Sequence, residues 1–368
     1  MGELIFTQKE KEFDLAFKSD GGIWPIKGVL ETDNLRIYGS KILEWCRNNG
    51  KDLPSCNFNI INDSRVNAKA TLFENQYYIG INVGAIACIS NLFNRMLSHP
   101  EILKQYGDSS KETPPEKIFD VQVIDFDVLK DYITEEKIVI PKDPQRASLA
   151  RYLTQTCLKT ILIHEYAHVK NGHLDYKKSL FSDNSYNEFT QINNLAEGNL
   201  MWQALEMDAD CIAVNNLIME AEVLLNHREF IPKTFAEFYT DLENSIYLIY
   251  FANYCFYRIF GRLRFSLDNL NNYTHPPAPL RQMMMMATVL RFVEVNFPEL
   301  QNKIPSMGLE VIEEVENGFN KISEQQIDPS GIMLATTLPA TEHVNKILKA
   351  WSDIRPLLTP FSKGPLAE

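Results

Sequence analysis

The sequence predicts an α+β protein, mostly helical, with one small antiparallel sheet. Residues 146–173 and 195–219 repeat apolar side chains at helical spacing. Residues 57–62 (NFNIIN) and 76–83 (QYYIGINV) are instead short runs rich in Ile and Tyr, which favour strands. Hydrophobic residues make up 45% and charged residues 23% of the 368, ordinary for a globular chain long enough to bury a large core.

A helix is expected over 34–49, closed by Gly50, and a third strand around Val66–Phe73 between the other two. A helix over 84–97 follows. Residues 98–145 change character, with Gly107-Asp108-Ser109-Ser110, Pro114-Pro115, Pro141 and Pro144 around the apolar runs Phe119–Phe126 and Ile138–Ile140. This stretch reads as an insertion or flap. In 146–173, Leu149, Leu153, Cys157, Leu158, Ile161 and Leu162 share helical spacing, and Gly172 is a natural terminator. Residues 174–193 are polar and read as a loop. Helices are expected over 195–219 and 233–263, a proline turn at 271–279, and further helices over 280–295, 308–325 and 340–352. The Pro-rich stretch 355–368 reads as a frayed tail.

Formal net charge is −12 and no basic stripe occurs, which argues against nucleic acid or an anionic membrane as partner. The run 245–257 (SIYLIYFANYCFY) is too short and too polar to span a bilayer and is expected to be a buried helix. Six scattered cysteines without a CxxC pair suit a reducing compartment, and the first residues carry no expected signal peptide or myristoylation motif, so a cytoplasmic location is expected. The four methionines Met283–Met286 read as core filling, and His99, His227 and His343 call for no role.

His164-Glu165-Tyr166-Ala167-His168 is an HExxH motif. Residues four apart share a helix face, so both imidazoles reach one ion from one rod, and neutral imidazole suits Zn2+. Glu165 stands beside them as general base toward a water at the metal. The competing reading is a core helix with two satisfied histidines. His173 falls at the wrong offset for a third ligand, half a turn out of phase in a continuous helix, and suits the helix C-terminus. Glu206, in Glu206-Met207-Asp208-Ala209-Asp210, would complete a two-His, one-Glu set with an open position for water, and small Ala209 permits close approach of the two helices. Asp210, four residues on, would accept a hydrogen bond from the outer nitrogen of a ligand histidine. Glu197 is a weaker rival as ligand, and Asp208 faces elsewhere; a solvated acidic face is the alternative.

HEYAHVKNGH followed by EMDAD resembles the HtpX-type and CAAX-prenyl-protease-type gluzincin peptidases, with their HExxHxxxxH and ExxAD patterns. Val66-Asn67-Ala68-Lys69-Ala70 with Tyr77–Gly84 resembles their strand pair, and Thr274-His275-Pro276-Pro277 with Arg281 resembles a late THPP…R element. The pieces occur in family order over 57–290. A weaker similarity, the shared HExxH and a cytosolic build, joins the chain to Lit-type phage-exclusion peptidases. The resemblance implies a gluzincin-like fold, with the sheet packed on an HExxH helix and a glutamate helix. It implies a metallopeptidase domain over 1–300 and a C-terminal helical extension over 301–368. It also implies that a substrate strand adds to the sheet edge at 66–83, contacting Asn67 and Ala68. His275 would stabilise the oxyanion, with Tyr273 as alternative donor, and Arg281 would support that loop from behind the metal ligands. The expected activity is zinc-dependent endopeptidase action on cytosolic protein or peptide substrates, in quality control or phage defence. Segment 98–145 or 174–193 would cover the cleft until an activating partner or substrate arrives. The alternative is a catalytically silent metal-binding regulator or sensor.

Overall fold

The computed structural model describes residues 6–26, 30–48, 54–118, 139–181, 185–187, 196–260, 266–324 and 330–367. The chain opens with a helix that the sequence reading passed over, α1 (Gln8–Ala16). It starts at a capping box: the Thr7 hydroxyl accepts from Glu10 N, and the Glu10 carboxylate accepts from Thr7 N at 2.7 Å. Helix α2 (Leu30–Asn48) follows, then strands β1 (Cys56–Ile61), β2 (Ala68–Phe73) and β3 (Gln76–Asn82), and helix α3 (Val83–Leu97).

The sheet is mixed, which corrects the antiparallel expectation. Strands β2 and β3 form a hairpin whose two turn residues, Glu74 and Asn75, both take positive φ, as a tight hairpin loop of this kind requires. Strand β3 then lies between β2 and β1 and runs parallel to β1. Consecutive strands β1 and β2 therefore never pair, because the later strand inserts between them. A fourth strand, β4 (Ser185–Asn187), pairs antiparallel with β2 from Lys69 to Thr71.

One side of the sheet packs on α4 (Pro144–Lys170), which carries the HExxH motif. Pro144 sits in its first turn, and the Asp143 carboxylate accepts from Gln145 N and Arg146 N. From Tyr152 to Val169 the helix is buried almost all round, held by α2, α3, the sheet, α6 (Ala196–Asn226) and α7 (Leu242–Phe260). Lys159 on α4 pairs with Glu220 on α6 at 2.7 Å. Helix α7 begins nine residues later than expected: 236–238 form a short 3-10 turn, and Asp241 caps the helix by accepting from Asn244 N. It is buried along most of its length, and among the described residues no helix is long and apolar enough to cross a membrane. Helices α8 (Ala278–Asn296), α9 (Ile304–Ile322), α10 (Ser330–Ala335) and α11 (Leu338–Leu358) complete the fold. Met284 and Met285 fill the core, and none of the six cysteines forms a disulfide among the described residues.

Two expectations about peripheral segments change. Residues 98–106, the start of the expected insertion or flap, are tied into the framework. Arg146, fully buried at the start of α4, donates to the backbone carbonyls of Leu97, His99, Ile102, Leu103 and Tyr106. Glu112 accepts from Lys142 N and Asp143 N, joining the two described ends of the segment. Residues 119–138 lie outside the described residues. The expected tail, in turn, continues α11 to Leu358 and then docks. Lys363 N donates to Lys170 O at the end of α4, the Phe361 ring lies 5.8 Å from Tyr176, and Lys363 Nζ lies 3.4 Å from Asp175.

Candidate metal centre

Helix α4 brings His164 and His168 onto one face, with their Nε2 atoms 3.1 Å apart. Helix α6 crosses there and supplies Glu206. Its Oε2 lies 3.3 Å from His164 Nε2, and its Oε1 lies 3.5 Å from His168 Nε2. One ligand atom from each of the three residues falls within 4.8 Å of the others, a spacing that one metal ion can bridge. Glu206 is wholly buried, and neither carboxylate oxygen receives an aligned hydrogen bond. The nearest protein cation, the Arg281 guanidinium, stands 4.0 Å from Glu206 Oε2 and is engaged with Asp210, so the buried carboxylate facing two imidazole nitrogens is a donor set that fits a divalent ion.

The electrostatics point the same way. Burial alone would raise the Glu206 carboxyl, but His275, His168 and His164 hold it well below the usual range. Burial pushes His168 well below the ordinary imidazole value. His164 is also penalised by burial, yet Asp210 and Glu206 raise it well above that value, so the pull for positive charge concentrates on this group.

Asp210 stands where the sequence reading puts it. Its Oδ1 lies 2.9 Å from the outer nitrogen of His164, Nδ1, leaving Nε2 to face the ligand group. The same carboxylate accepts two hydrogen bonds from Arg281, at 2.7 and 2.8 Å, and one from the Tyr257 hydroxyl at 2.9 Å. Burial would raise Asp210, but Arg281 and His164 bring it down to about 2. Arg281 therefore holds Asp210, with its guanidinium 4.7 Å over the Tyr257 ring. The stretch that leads into the THPP element is held by Asn199 and Gln203 of α6. Gln203 Nε2 donates to Leu270 O and Tyr273 O, and Asn199 Nδ2 donates to Asn271 O.

That loop delivers His275, whose Nε2 lies 3.6 Å from Glu206 Oε1. Its Nδ1 lies 3.0 Å from Thr274 Oγ1, and burial drops its pKa to about 4. Glu165 is buried next to His164 on α4.

Asn67 and Ala68 fare differently. Asn67 O accepts from Asn82 N, and Ala68 is buried at the start of β2 opposite Ile81. Strand β3 is interior to the sheet, and β4 takes the outer edge of β2 from Lys69 to Thr71. The edge expected to receive a substrate strand is thus filled there by the chain itself. Segment 174–193, expected to be a loop, supplies both β4 and a helix, α5 (His173–Phe181).

Sequence reasoning missed two further groups. Asn199 and Gln203 continue the Glu206–Asp210 stripe at helical spacing, polar positions in an apolar helix, and that signal was present in the sequence. His173 and Asp208 fall outside the expected ligand set, yet the His173 ring lies against His168, and Asp208 lies against His173 and Asn171. A break in α4 causes this: Asn171 ends the helix and Gly172, at φ +76°, turns the chain so that His173 swings back. The side chain of Glu197 lies outside the described residues.

In comparisons with known proteins, the chain matches no protein family, no curated protein and no solved structure.

Proposed function

We propose that the chain is a zinc-dependent endopeptidase of gluzincin type, with His164, His168 and Glu206 holding the ion and Glu165 as general base. The observation that carries this reading is the buried, convergent His164–His168–Glu206 group, with Glu165 beside it on the same helix. Two imidazoles and one carboxylate form a small N/O set suited to Zn2+ with a position left open. When bound, such an ion supplies Lewis acidity to a carbonyl and lowers the pKa of a water. Glu165 accepts the proton of the attacking water and passes it to the leaving amine. His275 serves the carbonyl oxygen. A Thr274 hydroxyl donating to Nδ1 leaves the His275 proton on Nε2, the nitrogen nearest the ligand group, so the ring can donate there. The substrate is a protein or peptide segment, and access to so enclosed a site calls for an activating partner or for displacement of a covering segment.

A second reading, a metal-binding regulator without turnover, draws on the burial of Glu165 and on the self-paired edge of β2. One assay separates the two. Zinc-loaded wild type should cleave unfolded protein substrates, and Glu165→Gln should keep its zinc while losing about 10²–10⁴-fold in rate. Equal inactivity of both proteins at full zinc occupancy would favour the regulator.

A further inference from the structure

We infer that His173 and Asp208 form a positioning relay that fixes the ring of His168, so that the metal ligand set extends beyond its three direct members. The inference rests on the metal reading above. His168 presents Nε2 to the ligand group, and its other nitrogen, Nδ1, lies 2.9 Å from His173 Nδ1. Both rings are fully buried, so no water competes for these atoms. On its far side, His173 Nε2 lies 3.4 Å from Asp208 Oδ2, and that same oxygen accepts from Asn171 Nδ2 at 2.5 Å.

The order of donors follows from chemistry. A carboxylate only accepts, so Asp208, at an ion-pair distance of 3.4 Å rather than in an aligned hydrogen bond, favours the His173 tautomer with its proton on Nε2. His173 Nδ1 is then a bare lone pair, which accepts from His168 Nδ1–H. His168 Nε2 is left as a lone pair facing Glu206 and His164, the form that binds a metal. His164 receives the same treatment more directly, with Asp210 on its Nδ1. Helix α6 thus supplies the ligand Glu206 and two carboxylates that orient the two ligand rings, one by contact and one through His173.

The turn at Gly172 makes the relay possible. It brings residue 173 back against residue 168, whereas a continuous helix would carry it about 140° around the axis from that residue. Asn171 then ties Asp208 to the end of α4, so the relay closes on the helix that it serves.

The test uses the full chain and reads zinc affinity by competition with a chromophoric chelator, together with the visible spectrum of the Co2+-loaded protein. His173→Phe keeps the ring volume and removes the acceptor. It should weaken zinc binding about 10–100-fold and shift the cobalt bands. His173→Asn offers Oδ1 close to the position of Nδ1 and should restore binding and spectrum toward wild type. Asp208→Asn keeps the shape without the charge and should weaken binding less than His173→Phe; it carries the test if His173→Phe does not fold. Wild-type affinity and unmoved cobalt bands in every folded variant would overturn the relay. A wild-type chain that binds no zinc would instead overturn the metal reading itself.

Discussion

Asp210 is the residue on which most of the centre converges. It meets His164, receives Arg281 through two hydrogen bonds, and accepts from Tyr257. Asp210→Asn removes the charge that fixes His164 and leaves a buried guanidinium without its carboxylate. Zinc affinity should fall about 10–100-fold in chelator competition. Stability should fall by about 3–5 kcal/mol in denaturant unfolding. Retention of both would show that Asp210 is a bystander. Much of this residue-level arrangement was legible: His164 with His168, and Glu206 with Asp210, are pairs four apart, and helical geometry alone puts each pair on one face. His173 and Asp208 were not legible, because their meeting depends on a turn at Gly172 and on how two helices cross. Local spacing holds neither. Arg281 was legible as a partner of the site but not as the holder of Asp210, since residues 71 apart carry no shared periodicity.

Gly172 decides where elements end. Its φ of +76° suits a residue without a side chain, and an added Cβ would fall 2.4 Å from Phe361 C and 2.5 Å from Phe361 O. Gly172→Ala must bear a left-handed backbone, about 1–2 kcal/mol, and also push the C-terminal segment away. Its urea midpoint should drop with the slope unchanged; an unmoved midpoint would mean that the docking of Phe361 contributes nothing. The helices read well from sequence because apolar spacing and caps are local, and the capping pair Thr7 and Glu10 is a local signal of the same kind for α1. The sheet read poorly in its pairing. Short apolar strands declare themselves, but the insertion of β3 between β1 and β2 and the arrival of β4 from beyond α4 are long-range facts.

At the scale of the whole molecule, segments that looked peripheral close the fold around the centre. Arg146 pins 97–106, Lys363 N caps α4, and α11 inserts His343 against α6. Proline and glycine content suggested loose segments, but a single buried guanidinium or backbone donor holds them, and composition does not reveal such anchors. His343 also sets a pH dependence. Gln203 uses its amide N–H groups on the 270–273 loop, so its oxygen accepts from His343 Nε2, 2.8 Å away. Burial lowers His343 from 6.5 to about 4, so the folded chain keeps it neutral. Between pH 6.5 and 4 the unfolded chain takes up a proton that the folded chain refuses. Stability from this site is therefore full above 6.5, falls through that window, and levels off below 4. His343→Gln should flatten the fall of the unfolding midpoint between pH 6.5 and 4, and an unchanged slope would assign the dependence to other groups.

These anchors all serve one arrangement, α4 and α6 held so that three side chains converge, and metal stoichiometry tests it most directly. Zinc content by mass spectrometry on purified wild type, His164→Ala and Glu206→Gln should give about one ion per wild-type chain and well under one in both variants. A wild type without zinc, or a Glu206→Gln that retains a full equivalent at wild-type affinity, would contradict the account.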